Sequence, residues 1–107
     1  MTTFDEREKA HEKKFEHDQE LAFKARARRN HLFGLWAGKE LGLAAAAAES
    51  YARDLMAALP AKHADDALLA KVSADLKARN LPHEHGRLHV ELDRCLAEAK
   101  KQLGIPR

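Results

Sequence analysis

Seven histidines and a single cysteine are the side chains of this 107-residue chain best suited to chemistry. His85 and His89 stand four residues apart, a spacing at which one helix face can hold Zn²⁺, and His83 is nearby. No carboxylate or thiol occupies an obvious third-ligand position on that face, so we interpret these histidines as surface residues and predict no metal site. Cys95 has no clearly activating basic neighbour and is expected to be a small buried apolar side chain.

Motifs of catalytic sites are missing from the sequence. It contains no glycine-rich phosphate loop, no Gly-x-Ser-x-Gly, and no pair of carboxylates in a setting that would separate their pKa values. We therefore predict a binding or regulatory protein and not an enzyme.

A basic cluster with the sequence Lys-Ala-Arg-Ala-Arg-Arg runs from Lys24 to Arg29. It is interpreted as a solvated helix face, as a nucleic-acid contact, or as a site for a phosphate-bearing small molecule or an acidic protein surface, because guanidinium groups bind anions through paired hydrogen bonds. The whole chain has a net charge of only +2, and residues 1–20 carry a net charge of −3, which disfavours the nucleic-acid interpretation.

Length and composition indicate one domain with a modest core. The lone cysteine cannot form an internal disulfide, which fits a reducing compartment. No apolar run approaches the roughly 20 residues that span a membrane, and the N-terminus is charged where a signal peptide would be apolar. We expect a soluble cytoplasmic protein.

Helical periodicity covers most of the chain, and no stretch alternates with the period of a strand. Thr3 to Glu6 form a candidate capping box for a first helix over residues 3–41, which Gly42 would end. Further helices are predicted over residues 43–59, from Asp65 as N-cap to about residue 80, and from His85 to the residue before Gly104. The predicted fold class is all-α, a small four-helix bundle. Its predicted core contains Trp36, Tyr51, Leu55, Val72, Leu76, Leu88 and Leu92.

The first helix has two unlike halves. Up to Gln19 its large apolar side chains after Met1 are Phe4 and Phe15, which share one helical stripe and cannot bury four turns in a core. A core face begins near Leu21, with Phe23, Leu32, Phe33, Leu35, Trp36 and Leu41. We predict that residues 1–20 are a mobile, helix-prone N-terminal segment, disordered or frayed when free, and that residues 21–107 form the bundle. The segment is a solvated helix end or, as we favour, a helix that folds on a partner through its two aromatics.

Four stretches resemble one known family: Met1–Ala10, Lys14–Asp18, Ala27–Asn30 and Gly34–Ala37. The family is the zeta subunit of the alphaproteobacterial F-type ATP synthase, an ATPase inhibitor. The resemblance implies a four-helix bundle whose N-terminal segment becomes helical, enters a catalytic alpha/beta interface of the soluble head against the central stalk, and blocks rotation in the direction of ATP hydrolysis. It places the partner contacts on Phe4, Asp5, Glu6, Arg7, Glu8, Lys9 and Phe15.

The resemblance carries further expectations. It implies no catalytic cofactor, ADP or ATP as a possible regulatory ligand at an unassigned site, and a position peripheral to the inner membrane when the protein is bound to the synthase. The sequence departs from the family pattern at His11, where relatives often carry an aromatic, and over residues 60–65, where they carry an acidic loop. Two alternatives stay open: a nucleotide-responsive regulator with weak or no inhibition, and a nucleic-acid-associated helical protein.

Overall fold

Four α-helices form the fold in a computed structural model, which describes the backbone of residues 2–58 and 64–105 and the side chains of residues 17–58 and 65–105. They are α1 (Thr2–Glu40), α2 (Ala45–Ala58), α3 (Ala64–Ala78) and α4 (His85–Gln102). Since the described residues contain no strand, the predicted all-α four-helix fold is confirmed. The helix-prone character of the N-terminal segment is confirmed by its backbone, whereas its mobility in the free protein stays a prediction.

The C-terminus of α1 is closed by the local chemistry that the sequence predicts at Gly42. This glycine has a φ of 84°, its N–H donates to the Lys39 carbonyl at 2.9 Å, and the Leu43 N–H donates to the Gly38 carbonyl at 3.0 Å. These two bonds define a Schellman motif, which satisfies carbonyls that a helix end leaves free. Because Leu43 belongs to this motif, α2 begins at Ala45, two residues later than predicted.

The start of α3 differs from the prediction. The helix begins at Ala64, so Asp65 lies inside its first turn and is not the N-cap residue. The Asp65 carboxylate is instead bound by arginines of α1, which are more than thirty residues away in sequence. These arginine side chains compete with the backbone N–H groups at the start of α3 for the Asp65 carboxylate. Because they are distant in the sequence, the sequence alone does not reveal them.

The hydrophobic core lies where α1, α2, α3 and α4 meet. Among the predicted core residues, Leu55, Val72, Leu76, Leu88 and Leu92 are buried. Trp36 and Tyr51 pack against this core but stay half-buried at its edge. The Trp36 ring stacks on Phe33 with a centroid distance of 5.6 Å. The Arg87 guanidinium lies over the Trp36 ring, 5.1 Å from the ring centroid.

Phe23 was expected in the core face of α1, and that expectation is wrong. Its side chain is 74% exposed, whereas Phe33 and Ala37 of the same helix are completely buried. At 100° per residue, position 23 lies roughly a quarter turn away from the stripe that contains Phe33. It also precedes Ala25, the first buried residue among those described on α1.

Helices α1 and α2 approach each other closely through small residues. A Cβ atom added to Gly38 would lie 2.8 Å from the Cβ and 2.9 Å from the Cα of Ala48. An added Cβ at Gly34 would meet the same two atoms of Ala52 at the same distances. Because these glycines have no side chain, they allow the backbones of α1 and α2 to approach closely.

Polar ties hold α3 to the rest of the body. The Tyr51 hydroxyl on α2 donates to Asp75 at 2.7 Å, and burial together with this hydrogen bond raises the pKa of Tyr51. Arg79, just beyond the end of α3, donates to the Leu41 carbonyl at 2.8 Å. With the Asp65 contacts to α1, these bonds attach α3 near both of its ends.

Candidate interaction site on helix α1

The seven residues predicted to contact a partner lie on the N-terminal half of α1. The structure places the backbone of Phe4, Asp5, Glu6, Arg7, Glu8, Lys9 and Phe15 within the continuous helix Thr2–Glu40. Their side chains, like that of His11 and the capping box at Thr3, lie outside the described residues. The assignment of these seven as a contact site stays a prediction.

Among the described side chains of α1, burial increases beyond residue 20. Residues 17–20 are exposed, Leu21 is half-buried, and Ala25 is 2% exposed. From there the stripe of α1 that faces the other helices continues through Arg29 and Phe33. By the period of 3.6 residues, the same stripe extends back to positions 15 and 4 of this single helix. The face that packs in the body is therefore the face on which the two predicted aromatic anchors fall.

Arg29 occupies this packing stripe and is the buried charged residue of the described core, with 8% exposure. Its Nη2 donates to Asp65 Oδ1 at 2.5 Å, its Nη1 donates to Asp65 Oδ2 at 3.4 Å, and its Nε donates to Asn30 Oδ1 at 3.0 Å. Arg26 adds a bond from its Nη2 to Asp65 Oδ1 at 3.2 Å. Two of the four basic residues in the Lys24–Arg29 cluster thus share one carboxylate of α3, which offsets one of their two positive charges.

The Asp65 carboxylate is expected to stabilise the fold at neutral pH and to lose that effect in acid. Its hydrogen bond to Arg29 is the main reason that the pKa of Asp65 is lowered. A carboxyl group with a lowered folded pKa contributes stability above its unfolded pKa of about 3.9, and this stability disappears as the pH falls through the folded value. Asp65→Ala should cost about 1–2 kcal/mol at pH 7, since Arg29 loses a partner while the half-exposed carboxylate is screened by water.

The matched control for this prediction is Asp66→Ala. It removes an exposed carboxylate from the same first turn of α3 and so reproduces the loss of the helix-dipole contribution. Urea unfolding of both variants and the wild type at pH 7 and pH 3 provides the measurement. Equal stability of the two variants at pH 7 would show that the Arg29 contact contributes nothing.

The other two basic residues of the cluster face outward. Lys24 and Arg28 line an open groove of about 560 Å³ together with Phe23, Ala27, His31 and, from the end of α4, Leu103. Arg28 Nη1 donates to Gln102 Oε1 at 3.4 Å, and His31 Nε2 lies 3.0 Å from Glu49 Oε1. The sequence indicated the basic cluster but not which of its residues bind Asp65 and which line the groove. It also did not indicate that Phe23 and Leu103 line the same groove.

The candidate groups for chemistry have ordinary structural positions. Cys95 is buried, as predicted, and desolvation is the main reason that its pKa rises to about 11. His83 Nδ1 lies 2.9 Å from the Leu81 carbonyl oxygen, and the exposed His89 lies 3.7 Å from Asp93. Within the described part of the chain, no group of three histidines, cysteines or carboxylates is placed to hold a metal ion.

None of the described helices is long and apolar enough to cross a membrane.

Comparison with known proteins gives one family. No curated protein and no solved structure matches the chain. A family described as ATPase inhibitor subunit zeta matches residues 1–102, which include the N-terminal half of α1 and all four helices. This family consists of regulatory, non-catalytic subunits, in agreement with the absence of catalytic motifs from the sequence. Since the match covers nearly the whole chain, the protein belongs to the ATPase inhibitor subunit zeta family.

Proposed function

We propose that this protein inhibits ATP hydrolysis by the F-type ATP synthase, and that it does so by inserting the N-terminal half of α1 at a catalytic alpha/beta interface of the soluble head. The inserted helix would contact the alpha and beta subunits and the central stalk and would stop rotation in the direction of hydrolysis. It acts as a mechanical block, so no residue of this chain performs chemistry.

The observation that carries the proposal is the continuity of α1. A single helix runs from Thr2 to Glu40, yet its first described side chains, residues 17–20, are exposed, and burial begins only at Ala25. The packing stripe continues past that point toward Phe15 and Phe4. A helix whose apolar positions share one stripe is suited to bind in a hydrophobic groove of a partner.

The energetic balance favours recognition by folding on the partner. A helix segment with two large apolar residues is marginal in water, because nucleation is costly and packing supplies most helix stability. Burial of Phe4 and Phe15 in the interface would compensate the entropy lost when the segment becomes ordered. The charged residues 5–9 would add ion pairs with the partner around the two aromatics. The predicted frayed state of residues 1–20 in the free protein follows from the same balance.

The described contacts weaken the nucleic-acid alternative. Arg26 and Arg29 share the Asp65 carboxylate, and the basic groups of that cluster without a carboxylate partner among the described side chains are Lys24 and Arg28. Contacts from two cations give an affinity for nucleic acid that depends only weakly on salt. A protein that makes about six to ten phosphate contacts loses affinity steeply as the salt concentration rises. We place the protein in the cytoplasm, at the inner membrane only through its contact with the synthase.

Titration of the cognate synthase head with the intact protein tests the proposal. ATP hydrolysis should fall toward zero at saturation, while ATP synthesis in energised membrane vesicles should be retained, because the block acts on one direction of rotation. If the head co-purifies with the protein but hydrolysis continues at saturation, the protein is a regulator without inhibition. If the head does not co-purify, the proposed partner is wrong.

A further inference from the structure

We propose that Phe23, Lys24 and Arg28 form a second docking surface, which receives an acidic protein surface at the rim of the cleft that the N-terminal segment enters. This inference rests on the proposed function, since the acidic surface is assigned to the synthase head. It concerns a different part of α1 from the seven residues discussed above.

The charge of this docking surface is uncompensated in the described structure. Arg28 bonds only to the neutral amide of Gln102, and among the described side chains neither Lys24 nor Arg28 pairs with a carboxylate. Glu20, one turn before Lys24, is the nearest acid along the helix. Arg26 and Arg29, by contrast, share the Asp65 carboxylate, which offsets one of their two positive charges.

Phe23 adds an apolar element to the same surface. Its side chain is 74% exposed and lies beside Ala27 and Leu103 in the open groove. Single exposed apolar residues are common, but exposed aromatics flanked by arginine are typical of protein interfaces. A small ligand would need a cleft that encloses most of its surface, and this groove is shallow. The chemistry therefore fits an acidic protein surface with an apolar residue next to its carboxylates.

The position of the docking surface links it to the inhibitory contact. Phe23 follows Phe15 by eight residues on one uninterrupted helix, a distance of about 12 Å at 1.5 Å per residue. When the helix is inserted as far as Phe15, the groove that contains Phe23 and Arg28 lies against the protein surface around the mouth of the cleft. Positive charge at this place would attract an acidic rim before the helix is fully inserted.

The test is the kinetics of inhibition of ATP hydrolysis by the intact protein. In Lys24→Glu/Arg28→Glu the rate of onset should fall about tenfold or more at low salt, and its salt dependence should become flatter, because charges at a rim act mainly on association. Phe23→Ala should raise the half-inhibitory concentration about threefold to tenfold. Phe4→Ala should instead accelerate release of the inhibitor and leave the rate of onset nearly unchanged.

The matched control is Arg53→Glu/Lys77→Glu, which makes the same change in net charge at exposed positions on α2 and α3 outside the groove. An equal slowing by both double variants would show a general charge effect and overturn the docking surface, as would a wild-type rate for Lys24→Glu/Arg28→Glu. If that variant keeps the wild-type rate but loses binding of ADP, measured without the head, the groove takes a phosphate-bearing molecule and the proposal is wrong. If the wild-type protein itself does not inhibit ATP hydrolysis, the proposed function is wrong, and the docking surface that rests on it is wrong as well.

Discussion

Deletion of residues 1–18 is expected to abolish inhibition of ATP hydrolysis while the remaining chain stays folded. The deleted part ends before Leu21, and residues 17–20 are already exposed, so the deletion removes none of the described core. The closest described tie between α1 and α3, the Arg29 contact with Asp65, is also retained. Because the inhibitory contacts are assigned to residues 4–15, nothing of that interface remains.

Point variants sharpen this prediction. Phe4→Ala should weaken inhibition more than Glu8→Gln, because a buried aromatic anchor typically contributes more to binding than a charge at the edge of an interface. Both variants should melt like the wild type if Phe4 makes no contact in the free protein. Titration of the synthase head with each variant, with thermal melts alongside, provides the measurement. If the truncated protein inhibits as well as the intact one, insertion of the N-terminal helix is not the mechanism.

Replacement of both interhelical glycines, Gly34→Ala with Gly38→Ala, is expected to destabilise the body by on the order of 2–4 kcal/mol. Each new Cβ would lie 2.8 Å from a Cβ and 2.9 Å from a Cα of α2, so the helices must separate. The gain in helix propensity, about 1 kcal/mol per site, offsets only part of this cost. Urea unfolding followed by circular dichroism measures the difference.

Gly86→Ala is the control for the glycine variants. Gly86 is the second residue of α4, and an added Cβ there would meet nothing within 4 Å. This substitution should leave stability unchanged or raise it by up to about 1 kcal/mol through helix propensity. A double variant of Gly34 and Gly38 that is as stable as the wild type would mean that α1 and α2 do not pack as closely as described.

Features that depend on neighbours within one or two turns could be predicted from the sequence. The helical period indicated four helices, Gly42 indicated the end of α1, and the apolar stripe of α4 indicated that Cys95 is buried. These features arise from hydrogen bonds and side-chain contacts between residues that are close along the chain, so their signal is present in a short window. The motifs of the first forty residues also identified the family.

Tertiary structure alone decided which residues of α1 are free to meet a partner. The sequence grouped Lys24, Arg26, Arg28 and Arg29 as one cluster, but Asp65 of α3 binds Arg26 and Arg29, whereas Lys24 and Arg28 line the groove. The glycines of α1 proved to be contacts with Ala48 and Ala52, and Phe23 proved to be exposed. The physical reason is that each outcome depends on which helix packs against which face, and this is set by contacts between residues that are distant in sequence.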